Sequence, residues 1–438
     1  MRIEASNVAR ITSGRLVGAD CVAHGISFDS RVLTSGQAFV AIVADADGHN
    51  YIEQAHRAGA AFAIVQRGRA VEFITCVEVD DTLSALATLA TELVTELPAS
   101  TSKRIIGITG SAGKTSTKDL VSAVLTAGFA HSHAPVGSFN NDIGVPITIL
   151  NAPDNCDALV LEMGMRGFGE IERLCAIAKP SIGVLTNIGD AHGERVGGRE
   201  GVARAKFELL DSLPEDGVAV LNGDDEETTK RRSNVYSSIS TFGSSVGADV
   251  RWSVVDTDEE GRVTASFLFD GETASGLVPF PGEHMVANAA AAVAVGIACG
   301  MQLEACVAAL GRASQQPGRM MWRTSTRGLR ILDDSYNANT LSMIAALHAI
   351  AHSEGLRIAV LGAMAEIPDA EASHELVADI ARELGITVLA CETDLYGVPS
   401  MTVDQIVAQV EQQQPVAVLV KGSRVAATER VVNRLLTE

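Results

Sequence analysis

Apolar residues along this chain fall into short β-branched runs separated by amphipathic stretches of helical period, and that alternation carries the first expectations. Near the N-terminus, "AFVAIVA" and "AAFAIVQ" predict strands and "YIEQAHRAGA" an amphipathic helix. "TLSALATLATELVTELP" predicts a longer helix closing this zone, with "ASTSK" as a polar linker after it. From "RIIGIT" the alternation becomes regular: the strand-like "ALVLEMG", "IGVLTNIG" and "GVAVLNGD" are interleaved with the helical "EIERLCAIAKP" and "REGVARAKFELLDSLP". Such alternation predicts a parallel sheet wrapped by helices. "HMVANAAAAVAVGIACG" predicts the helix that ends the zone. A third zone begins near "QQPGRMMWR" and repeats the pattern through "RILDDS", "TLSMIAALHAIA", "RIAVLGAM", "HELVADIARELG" and "VAVLVKGS". The expected fold class is α/β with three domains: a smaller N-terminal α/β domain over 1–98, a central P-loop-type parallel-sheet domain over 99–314, and a C-terminal Rossmann-like domain over 315–438.

Length agrees, since 438 residues exceed what one hydrophobic core usually organises. A formal charge of −20 argues against general binding to nucleic acid or to an anionic membrane, so any anionic ligand must be held by local features. Cys21, Cys76, Cys156, Cys175, Cys299, Cys306 and Cys391 form no CxxC pair or zinc-like spacing, which predicts reduced thiols in a cytoplasmic protein. "MRIEASNVARITSG" has no apolar core of signal-peptide length, and no membrane-spanning run of eighteen apolar residues follows, so no membrane insertion is expected. The basic triplet Lys230, Arg231 and Arg232 reads as a solvated helix end.

Candidate chemistry starts at "GITGSAGKTSTK", residues 107–118. A β-branched strand precedes it and helical periodicity follows, so the glycines sit at a strand-to-helix turn. Backbone amides of Gly110, Ser111, Ala112, Gly113, Lys114 and Thr115 can converge there on phosphate oxygens, reinforced by the helix N-terminus and Ser116. Glycine lets the main chain approach without a Cβ in the way. Lys114 would neutralise the β- and γ-phosphates and the Thr115 hydroxyl would reach magnesium. The outer glycine of the usual phosphate loop is replaced by Ile108. "TNIGD" does not fit a guanine reader, which favours ATP. Glu162 ends one apolar run, and Asn187 and His192 lie just past the next; carboxyl ends of parallel strands are where ligands gather. A carboxylate and an imidazole so placed could complete a magnesium shell. Lys206, on a helix whose other face is apolar, reads on its own as a solvated lysine with a long stem.

The segments "ITGSAGKTSTK", "LEMGMRGFGEIERL", "TNIGDAHGERVGGREGVARAKFEL", "GEHMVANAAAAVAVG", "PGRM" and "LDDSYNAN" resemble, in order and spacing, the ATP-dependent Mur ligases. The resemblance covers nearly the whole chain. It implies an ATP-dependent C–N ligase that activates a carboxylate as an acyl phosphate and joins it to an amine in peptidoglycan-precursor synthesis. "FNNDIGVPITIL" and "DDSYNANTLSM" look most like the member that adds D-Ala-D-Ala to a UDP-N-acetylmuramoyl-tripeptide. "FDSR", with Ser30 and Arg31, and "DGHNYIEQA" resemble its domain for the UDP-substrate. Carried over, the resemblance implies that Lys114 and Thr115 hold phosphate and magnesium, that Glu162 and His192 are magnesium ligands, and that Lys206 is carbamylated and serves a second magnesium. Asn288 would contact adenine, Arg319 the γ-phosphate and Asp334 the ribose. Asn140 and Asn141 would bind substrate, and Asn337 and Asn339 would lie by the nucleotide and incoming dipeptide. Partners would be small molecules only, handled by a monomer. The chain departs from the family pattern at Met285, Thr340, Ala363, Ile367-Pro368 and the segment "AIVADADGHN". Alternatives are another Mur-type ligase with a different amine acceptor, a folylpolyglutamate synthase, and a nucleotide-gated binding protein without turnover.

Overall fold

The computed structural model describes residues 2–437 apart from 45, 190–192, 366 and 368. Its strands form four sheets among the described residues. N-terminal strands give an antiparallel pair, Arg2–Glu4 with Val22–His24, and a five-stranded sheet that includes Ala38–Val40, Phe62–Gln66 and Cys76–Val79. The helix Thr82–Glu96 follows, its N-terminus capped by the Asp81 side chain, which accepts from the Ser84 amide. The "ASTSK" linker is in fact a short helix, Ala99–Ser102. Its Thr101 hydroxyl is buried and donates to the Cys156 carbonyl at 2.6 Å, which ties the stretch to the central domain.

The nine-stranded central sheet is parallel over seven strands, from Ser132–His133 through Ala158–Glu162, Ile105–Thr109, Ile182–Leu185, Val218–Asn222 and Ser238–Gly243 to Val250–Thr257. Two antiparallel strands, Arg262–Phe269 and Glu272–Pro281, extend it. Ile105–Thr109 is buried along its whole length, as a central parallel strand must be. Its side chains alternate: Ile106 and Ile108 pack with the helices Lys114–Gly128 and His284–Ala298, while Ile105 joins a second core beneath Gly198–Asp211. His284–Ala298 is apolar nearly all round, and it is buried accordingly.

The C-terminal sheet has six strands, parallel from Arg330–Asp334 through Ala417–Lys421, Arg357–Gly362 and Thr387–Cys391 to Ser400–Met401, with Met321–Thr324 antiparallel at one edge. One continuous apolar core runs from the central sheet into the helix Thr340–Ala351, so the two domains pack directly on each other. Lys230 and Arg231 occupy the last turn of Glu226–Arg231, where Lys230 pairs with Glu226 and Glu227, in keeping with a solvated helix end. No helix among the described residues is long and apolar enough to cross a membrane.

Candidate active site

Residues 110–113 leave the end of Ile105–Thr109 and turn into the helix Lys114–Gly128. The turn needs glycine twice, for different reasons. A Cβ on Gly110 would overlap the Thr186 hydroxyl, and Gly113 has φ +79° with its Cβ position 2.7 Å from Asn288 Oδ1. The loop is braced from below: Ser111 N donates to Asn187 O (3.0 Å), Ala112 N to Asn187 Oδ1 (2.9 Å), and Thr186 Oγ1 to Ala112 O (2.7 Å). The amides of Ser111 and Ala112 are therefore spent on the neighbouring strand end and do not converge on a ligand. No side chain caps Gly113, which leaves the first-turn amides of Lys114, Thr115 and Ser116 as the donors for an anion.

Glu162 ends the neighbouring strand and is buried, with every oxygen engaged. Its Oε2 accepts from Thr115 Oγ1 at 2.7 Å, and its Oε1 from Ser138 Oγ at 3.0 Å and Asn140 Nδ2 at 2.8 Å. A hydroxyl and a buried carboxylate in contact, beside helix amides, are hard oxygen donors that fit a magnesium ion sharing its shell with phosphate. No group of three or more His, Cys, Asp or Glu side chains converges among the described residues. His192 lies outside the described residues.

Lys114 and Lys206 reach the same cavity as this acid from two helices. Lys114 Nζ donates to Gly110 O at 2.7 Å, and burial pushes its pKa down, with Glu162 opposing and Arg319 adding to the shift. The independent reading of Lys206 as a solvated side chain is overturned: it is 2% exposed, because its helix turns that face inward against the sheet. Burial, and then the nearby Lys114 charge, hold its pKa well below the ordinary lysine value. No described residue offers it a carboxylate.

The facing wall comes from the C-terminal domain. Asp334 and Lys421 end adjacent parallel strands and meet as a buried ion pair. Lys421 Nζ also donates to Asn337 O at 2.9 Å, and Asp334 Oδ1 accepts from Met320 N at 3.0 Å. Burial raises the Asp334 pKa against the pull of Lys421. The Arg319 guanidinium stacks over the Tyr336 ring at 4.1 Å. Asn339 caps the helix Thr340–Ala351 and reaches Ser111 O across the cleft at 3.4 Å.

Between the walls is a cavity of about 880 Å³. It gathers Ser111, Ala112, Gly113, Lys114, Thr115, Ser116, Asn140, Asn141, Glu162, Lys206, Asn288, Arg319, Asp334, Asn337 and Asn339 in one place. Gly110 lies behind it. Ser30 and Arg31 do not line it: Ser30 is buried in the N-terminal domain, and exposed Arg31 pairs with Asp29 at 2.7 Å. Their segment still borders the site, because Phe28 packs edge-on against Phe139 at 6.3 Å, next to Asn140. Asn141 spends its side-chain oxygen on the Ile143 and Gly144 amides, and its amide nitrogen is the group left for a ligand. Asn288 donates to the Met285 sulfur at 3.3 Å, so the departure at Met285 sits against the residue expected to read adenine. Sequence reasoning missed Lys421, Ser138 and His284. Lys421 carried the same strand-end signal as Glu162; His284, at the first position of its helix, carried none.

Comparison with known proteins agrees with this geometry. A model of the Mur ligase middle domain matches residues 108–296, and one of the Mur ligase glutamate ligase domain matches residues 318–438. The UDP-N-acetylmuramoyl-tripeptide–D-alanyl-D-alanine ligase of Escherichia coli K12 is 33% identical over 98% of this chain and 97% of its own. A crystal structure of MurF from Acinetobacter baumannii superposes with a TM-score of 0.87 at 29% identity, covering 100% of this chain and 99% of that one. MurF ligase from Thermotoga maritima in complex with ADP does so with a TM-score of 0.79 at 28% identity, covering 94% and 97%.

Proposed function

This chain belongs to the Mur ligase family, and from that premise we propose that it joins D-alanyl-D-alanine to the terminal carboxylate of a UDP-N-acetylmuramoyl-tripeptide, using ATP. The observation that carries the reading is the single cleft in which an anion-binding helix N-terminus, Glu162 and Lys206 face Arg319 and Asp334. A carboxylate reacts poorly with amines because its oxygen leaves badly. In the proposed reaction a carboxylate oxygen of the tripeptide attacks the γ-phosphorus, ADP departs, and the acyl phosphate forms. The dipeptide amine then adds to the acyl carbon, orthophosphate leaves with the bond electrons, and the amine nitrogen loses its extra proton to solvent.

The first step brings two anions together. Lys114, the first-turn amides and Arg319 offset that repulsion and steady the charge on the transferring phosphoryl group. Thr115 and Glu162, with His192 beyond the described residues, would hold magnesium, which when bound withdraws charge from phosphate oxygens. Asn288 would face the adenine and Asp334 the ribose. We read Lys206 as carbamylated. A buried, neutral amine can add to the carbon of carbon dioxide; one C=O electron pair moves to oxygen and the nitrogen releases a proton. The product is an anionic ligand for a second magnesium where a lone ammonium would be costly.

Asn140, Asn141, Ser30 and Arg31 would serve the UDP-substrate, with Asn337 and Asn339 serving the dipeptide. The domain boundaries at 98/99 and 314/315 belong to the same proposal; none of the described sheets takes strands from both sides of either one. The monomeric state expected from the sequence belongs to the same proposal. All seven cysteines are free thiols, which suits a cytoplasmic setting. The test is phosphate release in a coupled assay, expected only when UDP-muramoyl-tripeptide and D-Ala-D-Ala are both present. Equal turnover with a single amino acid would move the reading to a neighbouring ligase. Isotopic oxygen from the tripeptide terminus should appear in the orthophosphate.

A further inference from the structure

Lys118 faces neither the cleft nor solvent: its side chain is 1% exposed. A buried ammonium is costly unless each of its three N–H groups finds an acceptor. Lys118 finds three, Asp119 Oδ1 at 2.7 Å, Pro135 O at 2.9 Å and Gly137 O at 3.1 Å. Two of these are carbonyls of the one loop that follows the edge strand Ser132–His133, and Pro135 is itself buried there. Val136, between the two carbonyls, is 82% exposed, and Gly137 sits at φ +74° with open space where a Cβ would be. Immediately beyond, Ser138 and Asn140 donate to Glu162 Oε1. The other oxygen of Glu162 is held by Thr115, one turn before Lys118 on the same helix. The contacts close a circuit from helix to loop to carboxylate and back to the helix.

We infer that Lys118 is a positioning residue: by gripping the Pro135 and Gly137 carbonyls it sets the loop so that Ser138 and Asn140 aim Glu162 at the magnesium site. This rests on the proposed function only in taking Glu162 as a magnesium ligand. Groups that orient a ligating carboxylate typically change metal affinity by roughly 10–100-fold when removed.

The experiment measures the Mg2+ concentration needed for half-maximal ADP binding, with no peptide substrate present. Lys118→Met should raise it by roughly 10–100-fold, with ADP binding recovered at saturating Mg2+. Lys118→Arg, which keeps the donors, should raise it less. A folded Lys118→Met variant with the native Mg2+ requirement overturns the inference. In the native chain, hydrogen exchange across residues 136–141 should slow with Mg2+ and ADP relative to ADP in chelator. Exchange indifferent to Mg2+ overturns it equally, whether or not the variant folds. Neither measurement involves the dipeptide, so failure of D-Ala-D-Ala specificity leaves this inference standing. Complete absence of Mg2+-linked ADP binding would instead sink the proposed function.

Discussion

On the central wall of the cleft, Lys206 is buried with no carboxylate beside it among the described residues, and Lys114 hydrogen-bonds to a backbone carbonyl while Glu162 acts on it only through its charge. On the C-terminal wall, Lys421 is buried just as deeply but is tied to Asp334 and to the Asn337 carbonyl. The contrast separates two uses of a buried cation. Lys421 is satisfied by its own protein, so its first role is to hold a strand end and the carboxylate beside it. The central pair is left wanting an anion, which is the condition expected of a site completed by phosphate and by a covalent change at Lys206. Buried charge without a partner points to a ligand; buried charge with one points to architecture.

The sharpest way to break this contrast is Lys206→Ala. Activity should be abolished while thermal stability holds or rises, because the variant removes a poorly solvated group, not half of a pair. Added short-chain carboxylates should partly restore turnover, and unchanged turnover would refute the assigned role. Lys421→Met should behave oppositely, leaving Asp334 buried and unpaired and costing about 3–5 kcal/mol of stability. Denaturant unfolding checks it. Adding Asp334→Asn to the same chain should recover much of the loss, and if it does not, Lys421 is not architectural in the sense argued. Arg319→Ala tests the stacked guanidinium between the walls. It should lower kcat on the order of 10²–10³-fold with a smaller change in UDP-substrate binding, and an equal loss in both would contradict a role at the phosphoryl group.

The two walls also differ in how far they could be read from the chain. Lys114, Thr115 and Glu162 stand at the ends of apolar runs, where hydrophobic pattern alone locates a strand terminus. Asp334 ends such a run too, yet its partner Lys421 lies 87 residues further on, and only the parallel pairing of the two strands brings them together. Lys206 was misjudged without the family resemblance because helical period shows which residues share a face, not whether that face is covered. The reach of the phosphate loop was overstated for a related reason: Asn187 claims the Ser111 and Ala112 amides from a neighbouring strand end. The antiparallel extension of the central sheet is less legible: Arg262–Phe269 alternates buried and half-buried residues, but alternation marks a strand without saying which sheet it joins or in which direction. Lys118 was legible in principle, lying on the apolar face with Val121 and Leu125, at the i+3 and i+7 positions of one helix.

His284 opens the central helix and feels Lys421 from the opposite wall, so it offers the finest test of how well that lysine is neutralised. Burial first, and Lys421 second, lower its pKa from 6.5 to about 4. Between those values the unfolded chain binds a proton that the folded chain refuses. Stability from this group is therefore complete above pH 6.5 and is lost as pH falls towards 4, by on the order of 1–3 kcal/mol. Melting temperature measured across that window should fall more steeply for the native protein than for His284→Gln, and parallel curves would show that the imidazole is not held neutral. If Asp334 largely cancels the Lys421 charge, desolvation must supply most of the shift. Lys421→Met should then leave the native slope almost intact once its general loss of stability is subtracted. A slope that collapses in that variant would mean the lysine acts on His284 as a bare cation, and the two walls would be more alike than their hydrogen bonds suggest.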